Sequence, residues 1–302
     1  MSPILKTSVL AAALMLAACK QTAPETTKPV AGDEAKAVNP ARPAPASADD
    51  NLNAVVWMQR SAEYAAVTET LYRAAAARLD AALKSDEDAL APEERGNASR
   101  GLPPAIIMDV DETVLDNSPY QARLVVGGGE FDDLGWDQWV AEKKARPVPG
   151  VVAFAQAAAA KGITVLYVSN RATHLKAATL ANLKAEGLPV KNDEVFLGLG
   201  TFVPDCEQIG SEKRCRRKLA GQKYRVLMQF GDQLGDFVQI LTNTPEGRAE
   251  LSARHADWWG RRWFMLPNPS YGSWEPALFN NEWKQPREAR RAAKRSALLQ
   301  GK

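Results

Sequence analysis

Between residues 105 and 266 the chain alternates short apolar runs with longer helical stretches, and that alternation restricts the fold more than any other feature. The run AIIMDV at 105–110 follows two prolines and reads as a buried strand; ITVLYV at 163–168 is the next. Between them an Ala-rich helix over 151–161 is opened by Pro147-Val148-Pro149-Gly150 and closed by Gly162. A second helix over 174–186 ends at Gly187, and 194–199, 225–230 and 263–266 supply three more strands. Strands separated by helices build a doubly wound parallel sheet with helices on both faces, an α/β fold. Upstream, residues 53–83 read as one helix whose apolar face carries Val56, Tyr64, Val67, Leu71 and Leu79. Ligands of such sheets gather beyond the carboxyl ends of the strands, so the alternation also says where chemistry sits.

Reactive side chains fall at those strand ends. The first strand runs into Asp109-Val110-Asp111-Glu112-Thr113. Alternate side chains share a direction where a strand gives way to a loop, so Asp109 and Asp111 converge on one site. Carboxylates that close repel unless a cation lies between them or one takes a proton, and both arrangements suit phosphoryl transfer. The second strand ends in Ser169-Asn170-Arg171, a hydroxyl and an amide placed to bind phosphate oxygens. A later one ends in Gly231-Asp232-Gln233-Leu234-Gly235-Asp236. Lys213 lies between them, at the start of a basic stretch, where its ammonium reaches the same anion. Any one acidic turn is more often a solvated loop. The weight rests on the order in which carboxylate pair, hydroxyl, lysine and carboxylate recur.

The N-terminal residues carry a different message. Lys6 precedes an apolar run at 9–18 that is too short to cross a bilayer, and the run ends in Leu16-Ala17-Ala18-Cys19. This stretch resembles a bacterial lipoprotein signal, which implies removal of residues 1–18 and acylation of Cys19 by several chains, enough for stable anchoring. Lys20 rather than Asp follows, so the resemblance points to the outer membrane, periplasmic or surface-facing. Residues 19–50, rich in Ala, Pro, Thr and Lys, read as a lipidated cysteine and flexible tether. Residues 51–290 then form the catalytic domain, with a basic tail at 291–302. The charge balance, 38 Lys+Arg against 36 Asp+Glu, argues against a nucleic-acid partner, and the basic run at 287–295 reads as a solvated helix face. In an exported chain, Cys206 and Cys215 in one short segment suggest a disulfide; a metal pair would lack nearby histidines, since His174 and His255 are distant in sequence.

Taken together, DVDETVLDNS at 109–118, VSNR at 168–171, Lys213 and GDQLGDF at 231–237 resemble the four motifs of the haloacid dehalogenase superfamily. More narrowly the chain resembles the class C acid phosphatases, the lipoprotein e group of 5'-nucleotidases. WMQRSAEY at 57–64, Phe131-Asp132 with Trp136 and Trp139, Pro147 to Gly150, and LPNPSYGSWE at 266–275 carry that likeness. It implies a haloacid dehalogenase-like Rossmannoid core with a small helical cap drawn from the N-terminal helix, residues 116–147 and the C-terminal segment. It also implies Asp109 as nucleophile and Asp111 as general acid and base. Ser169, Asn170 and Lys213 would bind phosphate, although Lys218 offers a second lysine for that role. Mg2+ would be held by Asp109, the Asp111 carbonyl and Asp232, with Asp236 orienting a metal-bound water. Haloalkanoate dehalogenases lack the second carboxylate, because a halide needs no proton to leave; Asp111 therefore points to phosphate esters.

By the same resemblance Phe131 and Tyr271 sandwich a nucleobase, whereas Trp136, Trp139, Trp258, Trp259 and Trp274 read as packing between cap and sheet. The expected activity is Mg2+-dependent hydrolysis of small phosphate monoesters, nucleoside monophosphates among them. Two alternatives stand beside it: an acid phosphatase without nucleobase preference, and a non-catalytic ligand-binding lipoprotein. A homodimer is left open.

Overall fold

A computed structural model describes residues 50–95 and 101–301, so the signal segment, Cys19 and all of the tether but Asp50 lie outside the described residues. The core is a parallel five-stranded sheet in the order β5-β4-β1-β6-β7, built from β1 (Pro104–Met108), β4 (Thr164–Ala172), β5 (Phe196–Leu199), β6 (Arg225–Gly231) and β7 (Trp263–Met265). β1 lies at the centre, with Ile107 opposite Leu166 on one side and Gln229 on the other. Both of its faces are covered, which is why its residues read as an unbroken apolar run instead of an alternating one. After β1 the chain crosses to β4 and later returns to β6 on the opposite side. That reversal opens a crevice at the carboxyl end of β1.

The N-terminal stretch departs from the expected single helix. It forms α1 (Leu52–Arg60) and α2 (Ala62–Lys84), parted at Ser61, whose extended backbone lets its hydroxyl accept the Tyr64 N–H. The buried stripe of α2 is Tyr64, Thr68, Tyr72, Ala75 and Leu79, while Val56 and Val67 face solvent. An Ala-rich helix offers more than one plausible apolar stripe, and the aromatics decide between them. Tyr72 stacks on Phe230 and lies beside Phe154, each 5.6 Å away, and its hydroxyl donates to the Thr113 carbonyl at 2.7 Å. Thus α2 packs on the core, against β6 and α5 (Val151–Ala160), while α1 packs on the cap.

The cap leaves the core after β1 as α3 (Ser118–Gly127) and α4 (Asp133–Glu142). Its neck is closed by an antiparallel pair, β2 (Leu115–Asp116) with β3 (Arg146–Pro147). The expected helix at 174–186 is α6 (Lys176–Ala185), which packs on α4. Of the tryptophans expected between cap and sheet, Trp139 is buried in the cap, whereas Trp258 and Trp259 pack on Trp263 of β7 and Trp274 is exposed. Two further helices complete the chain, α8 (Pro245–Arg254) and α9 (Arg287–Ser296). The boundary expected at 290 falls inside α9, which is held to the body by Arg290–Glu130 and Lys294–Glu275 ion pairs. Among the described residues no helix is long and apolar enough to cross a membrane.

Truncating a buried residue of α2 should cost far more than truncating Val67, which the sequence pattern places inside and the structure places outside. Leu79→Ala is expected to lose about 2–5 kcal/mol in denaturant unfolding, and Val67→Ala no more than about 0.5 kcal/mol. Equal losses would contradict the packing of α2.

Candidate active site

Asp109 follows β1 directly, and its N–H continues the ladder to the Phe230 carbonyl at 2.9 Å. The chain then doubles back: Glu112 adopts a left-handed φ of 55°, and the Val114 and Leu115 N–H groups both donate to the Val110 carbonyl. This tight loop holds Asp109 buried and leaves Asp111 partly open beside it. Opposite, β6 ends in Gly231, where an added Cβ would lie 2.3 Å from the Asp236 Cβ; only glycine lets the Asp236 turn approach so closely.

Three basic side chains at the start of α7 (Arg214–Lys223) tie these loops together. Lys213, just before the helix, donates to Asp109 at 2.5 Å and to Asp236 at 2.6 Å. Arg216 donates to the Ser169 carbonyl at 2.5 Å and to the Asn170 side-chain oxygen at 2.8 Å, so it grips the end of β4. Arg217 makes a two-pronged pair with buried Glu94 and donates to the Gly235 carbonyl at 2.7 Å. Cys206 and Cys215 are bridged, with Cα atoms 5.6 Å apart, which fastens the preceding loop to the first turn of α7. Lys218 instead caps the Asp205 carbonyl at the surface, so Lys213 is the lysine that reaches the site. Ser169 is buried, and Asn170 is exposed.

The carboxylates of Asp109, Asp232 and Asp236 offer oxygens within 4.8 Å of one another. Such a buried, all-oxygen set suits a hard divalent cation. Its electrostatics agree. Burial raises the Asp109 pKa well above the carboxylate range; Lys213 pulls it down, and Asp236, Asp232 and Asp111 push it up again. Asp232 is pushed up to about 6, by burial first and then Asp236, against hydrogen bonds from Gln233 and Asn268 at 2.8 Å each. Burial works against the charge of Lys213, but Asp109 and Asp236 outweigh it and hold its pKa above the ordinary value. Asp236 spends one oxygen on Lys213 and the other on the Gln233 N–H at 2.8 Å, which leaves it to orient neighbours.

A family model described as HAD superfamily, subfamily IIIB (acid phosphatase) matches residues 13–274. The chain belongs to this family. A solved class C acid phosphatase from Bacillus anthracis with tungstate bound is similar over 83% of this chain and 98% of its own, at 31% identity and a TM-score of 0.72. Curated relatives are more distant. The stem 31 kDa glycoprotein of Glycine max is 27% identical over 165 residues, 55% of this chain and 58% of its own length. Acid phosphatase 1 of Solanum lycopersicum is 26% identical over 165 residues, with 55% and 57% covered. The chain therefore spans little more than half the length of these curated relatives.

Within the family's cap, Phe131 is 59% exposed and meets Tyr120 and Trp136 at ring distances of 6.3 and 6.2 Å. Tyr271 is half-buried, and its hydroxyl donates to Glu112. Burial, then the charges of Glu112, Asp232 and Asp111, hold that phenol well above its usual pKa. Several site residues escaped the sequence reading. Arg171 and Asn117 both bond Asp111 at 2.9 Å, and Glu112 accepts the Asn117 N–H at 2.8 Å. A charged residue continuing the apolar run of β4 was the available signal for Arg171.

An acid whose folded-state pKa lies above its unfolded value binds protons preferentially when folded, so stability falls as pH rises between the two values. For Asp232 that window runs from 3.8 to about 6. Metal-free protein is expected to melt at a higher temperature near pH 5 than at pH 7, and Asp232→Asn to flatten the difference. Magnesium chloride at pH 7 should raise the melting temperature, because a bound cation replaces the proton as compensating charge. A metal-free melting temperature that climbs from pH 5 to 7 would contradict this crowding.

Proposed function

We propose that this protein is an envelope-anchored, magnesium-dependent phosphomonoesterase that acts on nucleoside monophosphates through an aspartyl-phosphate on Asp109. The observation that carries the reading is Lys213, buried and bonded to both Asp109 and Asp236 beside Asp232, with Ser169 at the neighbouring strand end. Nucleophile, cation and oxyanion donors thus meet at the carboxyl ends of adjacent strands, where a phosphoryl group would sit. The similar Bacillus anthracis enzyme, which binds a tetrahedral oxyanion as tungstate, supports that use of the site.

In this reading a carboxylate oxygen of Asp109 attacks phosphorus, the ester P–O bond breaks, and the departing oxygen takes a proton from Asp111. Asp111 then accepts a proton from a water that attacks the phosphorylated Asp109, releasing inorganic phosphate and restoring both carboxyl groups. Ser169 Oγ, the Asn170 N–H and Lys213 Nζ supply hydrogen bonds where charge gathers on the phosphoryl oxygens. Magnesium, held by Asp109, the Asp111 carbonyl and Asp232, would neutralise that charge further. Phe131, exposed on the cap, and Tyr271 would offer flat apolar surface to a nucleobase of any kind. Acylated Cys19 and the following tether would hold the domain at the outer membrane, within diffusion of exported nucleotides.

Asp109→Asn is expected to retain less than about a hundredth of wild-type turnover, and EDTA to abolish wild-type activity until magnesium is restored. Lys213→Ala should be similarly impaired while Lys218→Ala stays near wild type. Robust turnover by Asp109→Asn would rule out the covalent route.

Because Phe131 is exposed, its truncation tests base stacking without unfolding the cap. Phe131→Ala should lose roughly 1–3 kcal/mol in kcat/KM on adenosine monophosphate and little on glycerol phosphate. Equal losses on both would leave a general acid phosphatase.

A further inference from the structure

The geometry points to Arg171 as the positioning residue that fixes Asp111 so that one of its two oxygens, Oδ2, moves the proton; this rests on the phosphatase reading above. Arg171 is 1% exposed, and its Nε donates to Asp111 Oδ1 at 2.9 Å, with Nη2 also 2.9 Å from that oxygen. Asn117 Nδ2 donates to the same Oδ1 at 2.9 Å. Oδ1 is thereby saturated. Among the described residues Oδ2 has a single, long hydrogen bond, from Ser169 Oγ at 3.4 Å, and Ser169 Oγ itself accepts the Arg171 N–H at 3.0 Å. The oxygen left to work is the one beside the phosphate-binding hydroxyl.

The guanidinium has no freedom to leave this post. Nη1 donates to Thr179 Oγ1 at 3.3 Å and Nη2 also to Asn117 Oδ1 at 3.2 Å, and the latter oxygen takes the Trp139 indole N–H at 2.8 Å. Trp136 of the cap lies against the guanidinium, 5.4 Å from its ring centre. Arg171 therefore joins β4, α4 and the Asp111 loop, and it is committed to the carboxylate instead of to phosphate. When the ester bond breaks, its electron pair stays on the leaving oxygen, which receives the proton from Asp111 Oδ2. The carboxylate so formed is the species that Arg171 and Asn117 stabilise through Oδ1. In the second step the same oxygen takes the proton of the attacking water.

Leaving groups separate this role from a structural or phosphate-binding one. p-Nitrophenolate departs without a proton, phenolate benefits from one, and the alkoxide of glycerol phosphate requires one. The ratio is read in kcat/KM, which covers steps only up to departure of the leaving group. Arg171→Ala is expected to lose on the order of 100-fold more kcat/KM on glycerol phosphate than on p-nitrophenyl phosphate, with phenyl phosphate between them. Inhibition by inorganic phosphate should be unchanged. Arg171→Lys, which keeps the charge but not the fork, should show the same ordering with a smaller spread, and it carries the test if Arg171→Ala does not fold. Uniform losses across the three esters, or weakened phosphate inhibition in step with them, would overturn the assignment while leaving the phosphatase reading intact. A metal-loaded wild type that hydrolyses none of the three would overturn both.

Discussion

Asp109, Asp232 and Asp236 are packed out of water at the ends of two neighbouring strands, where Asp236 raises the cost of ionising both Asp109 and Asp232. Lys213 is what makes that packing tolerable in the folded chain. Its ammonium bonds two of the three carboxylates and is itself buried, so neither its charge nor theirs is stranded in a poorly solvated interior. The compensation is incomplete, since one lysine faces three acids, and the remaining deficit is what a divalent cation would fill. Stability and catalysis draw on the same imbalance: a site that must bind a metal and a phosphate dianion cannot be neutral on its own.

The frame around Lys213 follows from this demand. A buried ammonium holds two loops only if its own backbone is fixed, and α7 does that with its next turn. Arg216 grips the end of β4, Arg217 grips the Asp236 turn and Glu94, and the Cys206–Cys215 bridge ties down the preceding loop. β1, β4 and β6 are adjacent strands, so a single helix start can reach all three carboxyl ends. The cap adds a second layer. Its Trp136 and Asn117 meet Arg171, and Trp139 bonds Asn117 in turn, so that the cap and Asp111 share one guanidinium.

Strand positions and strand ends were legible because they rest on patterns a few residues long: a run of apolar residues, a proline or glycine stop, an acidic turn. Asp109, Lys213 and Asp232 come together as those patterns implied. The face of α2 was not legible, because alanines blur its period and Tyr72 is buried by distant partners, Phe154 and Phe230 among them. The basic run at 214–218 likewise does not say which members are inside; Arg216 and Arg217 are fully buried while Lys218 is at the surface, a difference set by loops from other strands. Arg171 was hidden for the same reason, since a charge inside an apolar strand gains meaning only once its carboxylate partner is in place.

The account turns on a covalent bond to one oxygen-bearing side chain. Magnesium-loaded protein mixed with p-nitrophenyl phosphate and quenched in acid within a few turnovers can be digested and its peptides weighed. The account predicts that the peptide bearing Asp109 gains the mass of one phosphoryl group, labile to hydroxylamine and located at Asp109 by fragmentation. Rapid turnover with that peptide unmodified, or a phosphoryl group on any other residue, would contradict it.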